Sequence, residues 1–226
     1  MQAEQALTPG ARILVIGASR GIGLATCRAA LAQGYRVRAF ARNITAQAIN
    51  HPDYEAMRGD ALDPGDVARA LAGCDAVVLT LGVKADPATL LNPVTLFSRA
   101  TQVLLTQIRA AADDRARPIR LIAVTGYGVG DSRRALPLPE RVLFEAVMGR
   151  VAADKERQES LIRASDTAWT ILRPGFLTRA VSCPRARIRT DPREWRNGFV
   201  SRDTVADTIL SLLRTGDHVH EVAILT

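Results

Sequence analysis

The sequence predicts an α/β protein built on a single doubly wound parallel sheet. Three observations predict it. Strand-like and helix-like segments alternate almost throughout the 226 residues, as a sheet covered by helices on both faces requires. The strand-like segments are continuous apolar runs with few aromatics, the pattern of strands buried on both faces. The first such run leads into Gly17-Ala18-Ser19-Arg20-Gly21-Ile22-Gly23, a glycine-rich turn that opens a helix.

The elements follow in order. Ile13–Ile16 reads as the first strand and Leu24–Ala32 as the first helix, ended by Gln33-Gly34 because glycine accepts the left-handed conformation that closes a helix. Tyr35–Ala41 is the second strand and Glu55–Arg58 a short third, stopped by Gly59-Asp60. Asp63-Pro64 starts a helix to about Ala72, with proline where its missing N–H costs nothing. Asp75–Thr80 is the fourth strand, and Asn92-Pro93 starts an amphipathic helix to about Ala112. Arg120–Thr125 is the fifth strand, and Leu138–Gly149 and Val151–Ala164 read as helical. Trp169–Leu172 is a strand stopped by Arg173-Pro174-Gly175, Ser201–Arg214 a helix and Val222–Leu225 the closing strand.

Residues 1–10 are expected to be a flexible tail and residues 11–226 one domain, without repeats or a linker. Within it, residues 176–199 are polar, basic and irregular. They read as an insertion over the sheet, a small C-terminal substrate-lid region.

Composition excludes several classes. No apolar run approaches the roughly 18 residues of a membrane span, so no membrane partner is expected. Met1 to Pro9 carries Glu4 and no basic run, unlike a secretory signal. Cys27, Cys74 and Cys183 have no metal-type spacing and read as thiols in a reducing cytoplasm. His218 and His220 lack a third ligand, so no metal is expected. The net charge of +7 is an arginine excess, with lysine only at Lys84 and Lys155. No helix-turn-helix, zinc pattern or aromatic–basic interleaving accompanies it, which argues against nucleic acid and leaves a phosphorylated cofactor or an anionic small molecule.

A strand, a glycine-rich turn and a helix in that order suit a dinucleotide pyrophosphate. Gly17 makes the tight turn, Gly21 and Ile22 bring backbone to the phosphates, and Gly23 lets the helix lie close to the strand. The helix N-terminus offers free N–H groups and a positive dipole end. A proteins' choice between NAD and NADP is read after the second strand, where an acid holds the ribose hydroxyls of NAD. Here that place holds Ala41-Arg42-Asn43. Arg42, with Arg20 and Ser19 in the glycine loop, fits a 2′-phosphate instead, so NADPH is the expected cofactor.

Two further strand ends belong to the same edge. Asp60, Ala61 and Leu62 end the third strand; Asp60 either accepts from the adenine amino group or caps the next helix, and Leu62 can pack on the ring. Thr80, Leu81 and Gly82 end the fourth, where Gly82 permits close approach to the ribose or phosphates.

In these motifs the chain resembles the atypical NAD(P)H-binding branch of the short-chain dehydrogenase/reductase superfamily, which includes biliverdin reductase B (flavin reductase) and NmrA-like proteins. The carrying residues are Gly17–Gly23, Gly34–Arg42, Gly59–Leu62, Ala72–Val78, Leu161–Ser165, Trp169–Gly175 and Val200–Ala206. The resemblance implies a Rossmann fold with the nicotinamide at the carboxyl edge of the sheet, near Pro174, and a substrate pocket from the C-terminal third. It implies that Ser201-Arg202-Asp203 begins a helix closing that pocket.

The chain departs from the superfamily at the Tyr-x-x-x-Lys pair that passes a proton. Lys155 stands at the Lys position, but four residues earlier is Val151. The usual Ser aligns with Thr125 or Gly126. The resemblance then implies hydride transfer to a conjugated acceptor such as a flavin, quinone or tetrapyrrole, where charge spreads over many atoms and solvent supplies the proton. Its other implication is a non-catalytic NADP(H)-binding regulator of the NmrA-like kind.

Thr125, at the end of the fifth strand, is placed to bond the nicotinamide or substrate, or to cap the loop after it. Tyr127 reads first as a loop aromatic, with a stand-in proton donor as the alternative. Lys155 either holds the nicotinamide ribose or forms a solvated pair with Glu159 one turn on. Arg173 lies at the same edge, placed to orient an anionic substrate. Arg185, Arg187, Arg189, Arg193 and Arg196, with Trp195, suit a lid over a planar, anionic small-molecule acceptor, or else form a solvated basic loop. The chain is expected to act as a monomer or homodimer.

Overall fold

In the computed structural model, residues 6–83, 93–112, 118–178 and 186–226 are described. β1 (Arg12–Ile16) runs through the middle of an eight-stranded sheet. On one side lie β2 (Arg36–Ala41) and β3 (Tyr54–Arg58). On the other lie β4 (Ala76–Leu79), β5 (Arg120–Val124) and β6 (Ala168–Pro174), then β10 (Glu221–Leu225) and β8 (Ile188–Arg189). The order is β3-β2-β1-β4-β5-β6-β10-β8, parallel except for β8 against β10. The order of connection reverses between β1 and β4, and such a switch point opens a crevice at the carboxyl ends of the strands.

Side-chain alternation in these strands feeds two cores. Ile13 and Val15 face a cluster with Cys27, Ala30 and Leu31 of α1 (Gly21–Ala32) and Val205, Ile209 and Leu213 of α5 (Arg202–Thr215). Leu14 and Ile16 face the opposite cluster. There they meet Val67 and Leu71 of α2 (Pro64–Leu71), Leu104 and Ile108 of α3 (Leu96–Ala110) and Ile162 of α4 (Leu138–Arg163). α1 buries Gly23, Thr26, Cys27, Ala30 and Leu31, a stripe at helical spacing.

Caps set the helix starts where the sequence carries them. Asp63 accepts the Asp66 N–H at 2.7 Å beside Pro64, and Ser201 accepts the Thr204 N–H at 3.0 Å. Buried Arg38 closes α2 from the sheet side, donating to the carbonyls of Ala70 and Ala72 at 2.8 and 2.7 Å, where a cation complements the helix dipole.

Three expectations are corrected. The helix expected to break at Gly149 is continuous across Leu138–Arg163, because one interior glycine costs only about 1 kcal/mol. Residues 176–199 are not wholly irregular. β7 (Phe176–Thr178) pairs in parallel with β9 (Phe199–Ser201), and β8 extends the main sheet. The two segments cross at glycines: a Cβ on Gly175 would lie 2.3 Å from the Gly198 carbonyl oxygen. The expected tail is docked over its described part, since the Leu7 N–H donates to the Leu213 carbonyl at 2.8 Å and its side chain is buried. The rest of that tail, Asn92, Cys183 and Arg185 lie outside the described residues.

Candidate functional site

The glycine loop closes over the β1–β4 seam. Gly17 has φ +90°, and a Cβ there would lie 2.8 Å from the Thr80 carbonyl oxygen, so both conformation and space demand glycine. A Cβ on Gly23 would lie 2.4 Å from the Gly17 carbonyl oxygen and 2.6 Å from Thr80 Oγ1. α1 is thus drawn onto the end of β1. Its N-terminus has no side-chain cap and no acidic residue in the first turn, which leaves N–H groups and a positive dipole end for an anion. Gly21 and Ile22 sit at that end, partly exposed. These are features that fit a dinucleotide pyrophosphate.

Thr80 serves the loop from below. Its hydroxyl and its N–H both donate to the Ile16 carbonyl at 2.9 Å, so it locks the seam. Leu81 packs on the core, and a Cβ on Gly82 would meet open space. Ser19, Arg20 and Arg42 are exposed at the same edge. Neither arginine is in an ion pair among the described residues.

Asp60 is tied into the turn between β3 and α2. Its Oδ1 accepts the Leu62 N–H at 3.0 Å, and its own N–H donates to Asp66 Oδ2 at 2.8 Å. The helix cap is Asp63, so Asp60 shapes the turn and does not cap the helix. Ala61 is buried and Leu62 packs against the core.

The carboxyl ends of β5 and β6 carry a buried charge network. Thr125 Oγ1 donates to Glu159 Oε1 at 2.7 Å. Arg173, fully buried, donates to the same carboxylate through Nε at 3.0 Å and Nη2 at 2.5 Å, the two-pronged geometry guanidinium groups favour. Its Nη1 donates to Asp131, and its guanidinium lies 5.5 Å from the Trp195 ring centre. Burial opposes the Arg173 charge, yet its bonds to Glu159 and Asp131 outweigh it and raise its pKa. Arg163 approaches Glu159 at 3.5 Å.

Lys155 is therefore not Glu159's partner. Its Nζ donates to the Val124 carbonyl at 3.3 Å and lies 4.3 Å over the Phe97 ring. Burial pulls its pKa down to about 8, against the opposing charges of Glu159 and Asp154. Asp154 is otherwise engaged, accepting the Phe97 N–H at 2.8 Å. One turn before Lys155 stands buried Val151.

Tyr127 is packed with Leu136, Ile224, Phe144 and Trp195. Its hydroxyl has no partner among the described residues, and burial, with the charge of Glu140 adding, raises its pKa. Its N–H donates to the Pro174 carbonyl at 3.0 Å, which ties the β5 loop to the buried end of β6. Of the basic lid segment, Arg189 binds Thr226 and Trp195 covers Arg173, while Arg193 and Arg196 are exposed. The two histidines are local: His218 Nδ1 lies 2.6 Å from Glu221 Oε2, and His220 Nε2 lies 3.1 Å from the Thr167 carbonyl. No cluster among the described residues suits a metal.

Sequence reasoning passed over Glu159 as an organiser, Asp131 and the position of Arg202. Arg202 Nε lies 4.0 Å from where a Cβ on Gly21 would be, and its Nη1 donates to the Thr178 carbonyl at 3.2 Å. One signal was legible: a cation at the start of a helix opposes the dipole.

The family model for NAD(P)H-binding proteins matches residues 17–215, from the glycine loop through α5. This chain belongs to the NAD(P)H-binding family. The resemblance read from the motifs is borne out, and a nicotinamide dinucleotide is its cofactor. ChuY from Escherichia coli O157:H7, an anaerobillin reductase, is 26% identical with a TM-score of 0.75, covering 95% of this chain and 96% of its own. A short-chain dehydrogenase/reductase of Veillonella parvula DSM 2008, solved in complex with NADP, shares the fold at 15% identity. Its TM-score is 0.74, with 96% and 94% of the two chains covered. An uncharacterized sugar epimerase of Bacillus subtilis (strain 168), YhfK, is 25% identical over 150 residues. That match takes in 66% of this chain and spans 62% of the relative's length. No helix among the described residues is long and apolar enough to cross a membrane.

Proposed function

We propose that this protein is an NADPH-dependent reductase that passes hydride to a planar, conjugated small molecule: a flavin, a quinone or a tetrapyrrole. The observation that carries the reading is an exposed aromatic pair at the reaction edge. Phe176 and Phe199, on β7 and β9, lie 5.9 Å apart between ring centres and are 51% and 69% exposed. β7 follows β6 directly, so the pair stands beyond the carboxyl end of the sheet. Exposed Leu138, Val142 and Leu143 lie in the first turns of α4, which the β5 loop enters from the same edge. A flat apolar ligand gains dispersion and area burial on such a surface.

The bound dinucleotide supplies the hydride. On this reading Arg42, Arg20 and Ser19 hold the 2′-phosphate, and Gly17–Gly23 hold the pyrophosphate. Asp60, Ala61 and Leu62 face the adenine, and Leu81 and Gly82 the adjacent ribose. Lys155 holds the nicotinamide ribose, and Pro174 borders the nicotinamide. The Thr125 hydroxyl donates its hydrogen bond to Glu159, so toward a ligand it is an acceptor, suited to the carboxamide NH₂. Thr80, whose hydroxyl donates to the Ile16 carbonyl, supports the loop and, like Thr125, keeps acceptor capacity toward a ligand. Tyr127 is not assigned as proton donor, because its hydroxyl is turned into an apolar cluster. With Val151 in place of a phenol, protonation falls to solvent, which a charge-delocalising acceptor tolerates and a simple ketone does not. ChuY, an anaerobillin reductase, adds weight to a tetrapyrrole-like acceptor.

The test is loss of NADPH absorbance with FMN, riboflavin, a quinone, biliverdin and an aldehyde, with NADH run beside it. Turnover of a conjugated acceptor and none of the aldehyde is the expected result. Tight NADPH binding with no acceptor reduced would replace the reading with that of an NADP(H)-binding regulator.

A further inference from the structure

We infer that Arg202 is a ligand of the cofactor's pyrophosphate and ties the bound cofactor to the ribbon that carries Phe176 and Phe199. Arg202 is the first residue of α5, and Gly21 the first of α1. The two helices pack on the same face of the sheet, and the Arg202 Nε sits 4.0 Å from the Cβ position of Gly21. The open N-terminus of α1 and a guanidinium therefore converge on one place, both electropositive, whereas the α5 N-terminus is already capped by Ser201 and carries Asp203 in its first turn. Among the described residues no carboxylate pairs with Arg202; Asp203, next in the chain, is exposed and joins no ion pair. The hydrogen bond that Arg202 does make runs to the Thr178 carbonyl of β7.

Among the described residues this half-buried cation beside an uncapped helix end is met by a neutral carbonyl and by no anion, so it is electrostatically incomplete. A pyrophosphate seated on the α1 N-terminus completes it. Its charge faces the α1 dipole end, and the guanidinium has donors left for a phosphate oxygen after the bond to Thr178. The same side chain then bridges cofactor and ribbon. This inference rests on the family's cofactor and not on the acceptor chemistry.

Binding constants measured by calorimetry without turnover test it. The ligands are NADP⁺, NAD⁺ and 2′-AMP, which lacks the pyrophosphate. Arg202→Met should weaken NADP⁺ and NAD⁺ by the same factor, about 10-fold to 100-fold, and leave 2′-AMP unchanged. Arg202→Lys should recover part of the loss. NADP⁺ binding within about threefold of wild type in Arg202→Met would overturn the inference. So would an equal loss of 2′-AMP affinity, which marks a general disturbance. If wild type binds NADP⁺ but reduces no acceptor, the reductase reading fails and this one stands.

Discussion

Glu159 holds Arg173 with both carboxylate oxygens, at 3.0 Å to Nε and 2.5 Å to Nη2, beneath the carboxyl edge of the sheet. α4 and β6 are joined there by two almost fully buried charges, and Thr125 hangs from the same carboxylate. An isolated buried charge is costly, so the pair stands or falls together.

Glu159→Gln should therefore destabilise the fold strongly. Arg173 keeps Asp131, whose side chain is about half exposed, so the loss is about 2–4 kcal/mol. Urea unfolding measures it. A change below about 0.5 kcal/mol would mean that the network is solvated.

Lys155 makes stability depend on pH in a defined window. Its folded pKa is about 8 against an ordinary 10.5. Between those values the unfolded chain binds more protons, so stability rises with pH through the window, by at most about 3 kcal/mol. Below pH 8 both states are charged and the penalty is constant. Lys155→Met should abolish the rise; identical wild-type and variant profiles would count against it.

Gly17 and Gly82 should respond in opposite ways to alanine. At Gly17 the backbone is left-handed and the Thr80 carbonyl blocks a Cβ, while at Gly82 nothing lies within 4 Å. Gly17→Ala should cost more than about 2 kcal/mol and abolish cofactor binding. Gly82→Ala should lie within about 0.5 kcal/mol of wild type. Thermal unfolding and NADPH titration read both.

Arg42→Glu tests the cofactor assignment. The dissociation constant for NADPH should rise about 100-fold, because an attractive charge on the 2′-phosphate becomes repulsive. That for NADH should stay within about threefold. Equal changes for both cofactors would remove Arg42 from the 2′-phosphate.

The amino-acid sequence by itself determined the β1–glycine turn–α1 unit, the parallel sheet and the helix starts at Asp63-Pro64 and Ser201. Those depend on periodicity and on short-range chemistry written within a few residues. It also located the edge that Thr125 and Arg173 share, since strand ends in a parallel sheet share one side, and the family resemblance put Lys155 there.

Only the tertiary structure decided the partners. Lys155 and Glu159, one turn apart, could be a solvated pair or Lys155 could hold the nicotinamide ribose; the packing of α4 turns Glu159 to Arg173 and Thr125 and leaves Lys155 to the Val124 carbonyl. Tyr127 had the chemistry of a donor, but its neighbours, which come from distant segments, bury the hydroxyl. Arg202 meets Gly21 because α5 packs on α1. Residue spacing carries none of this: which side chains a charge meets, and how much water it keeps, are set by burial between elements far apart in the chain.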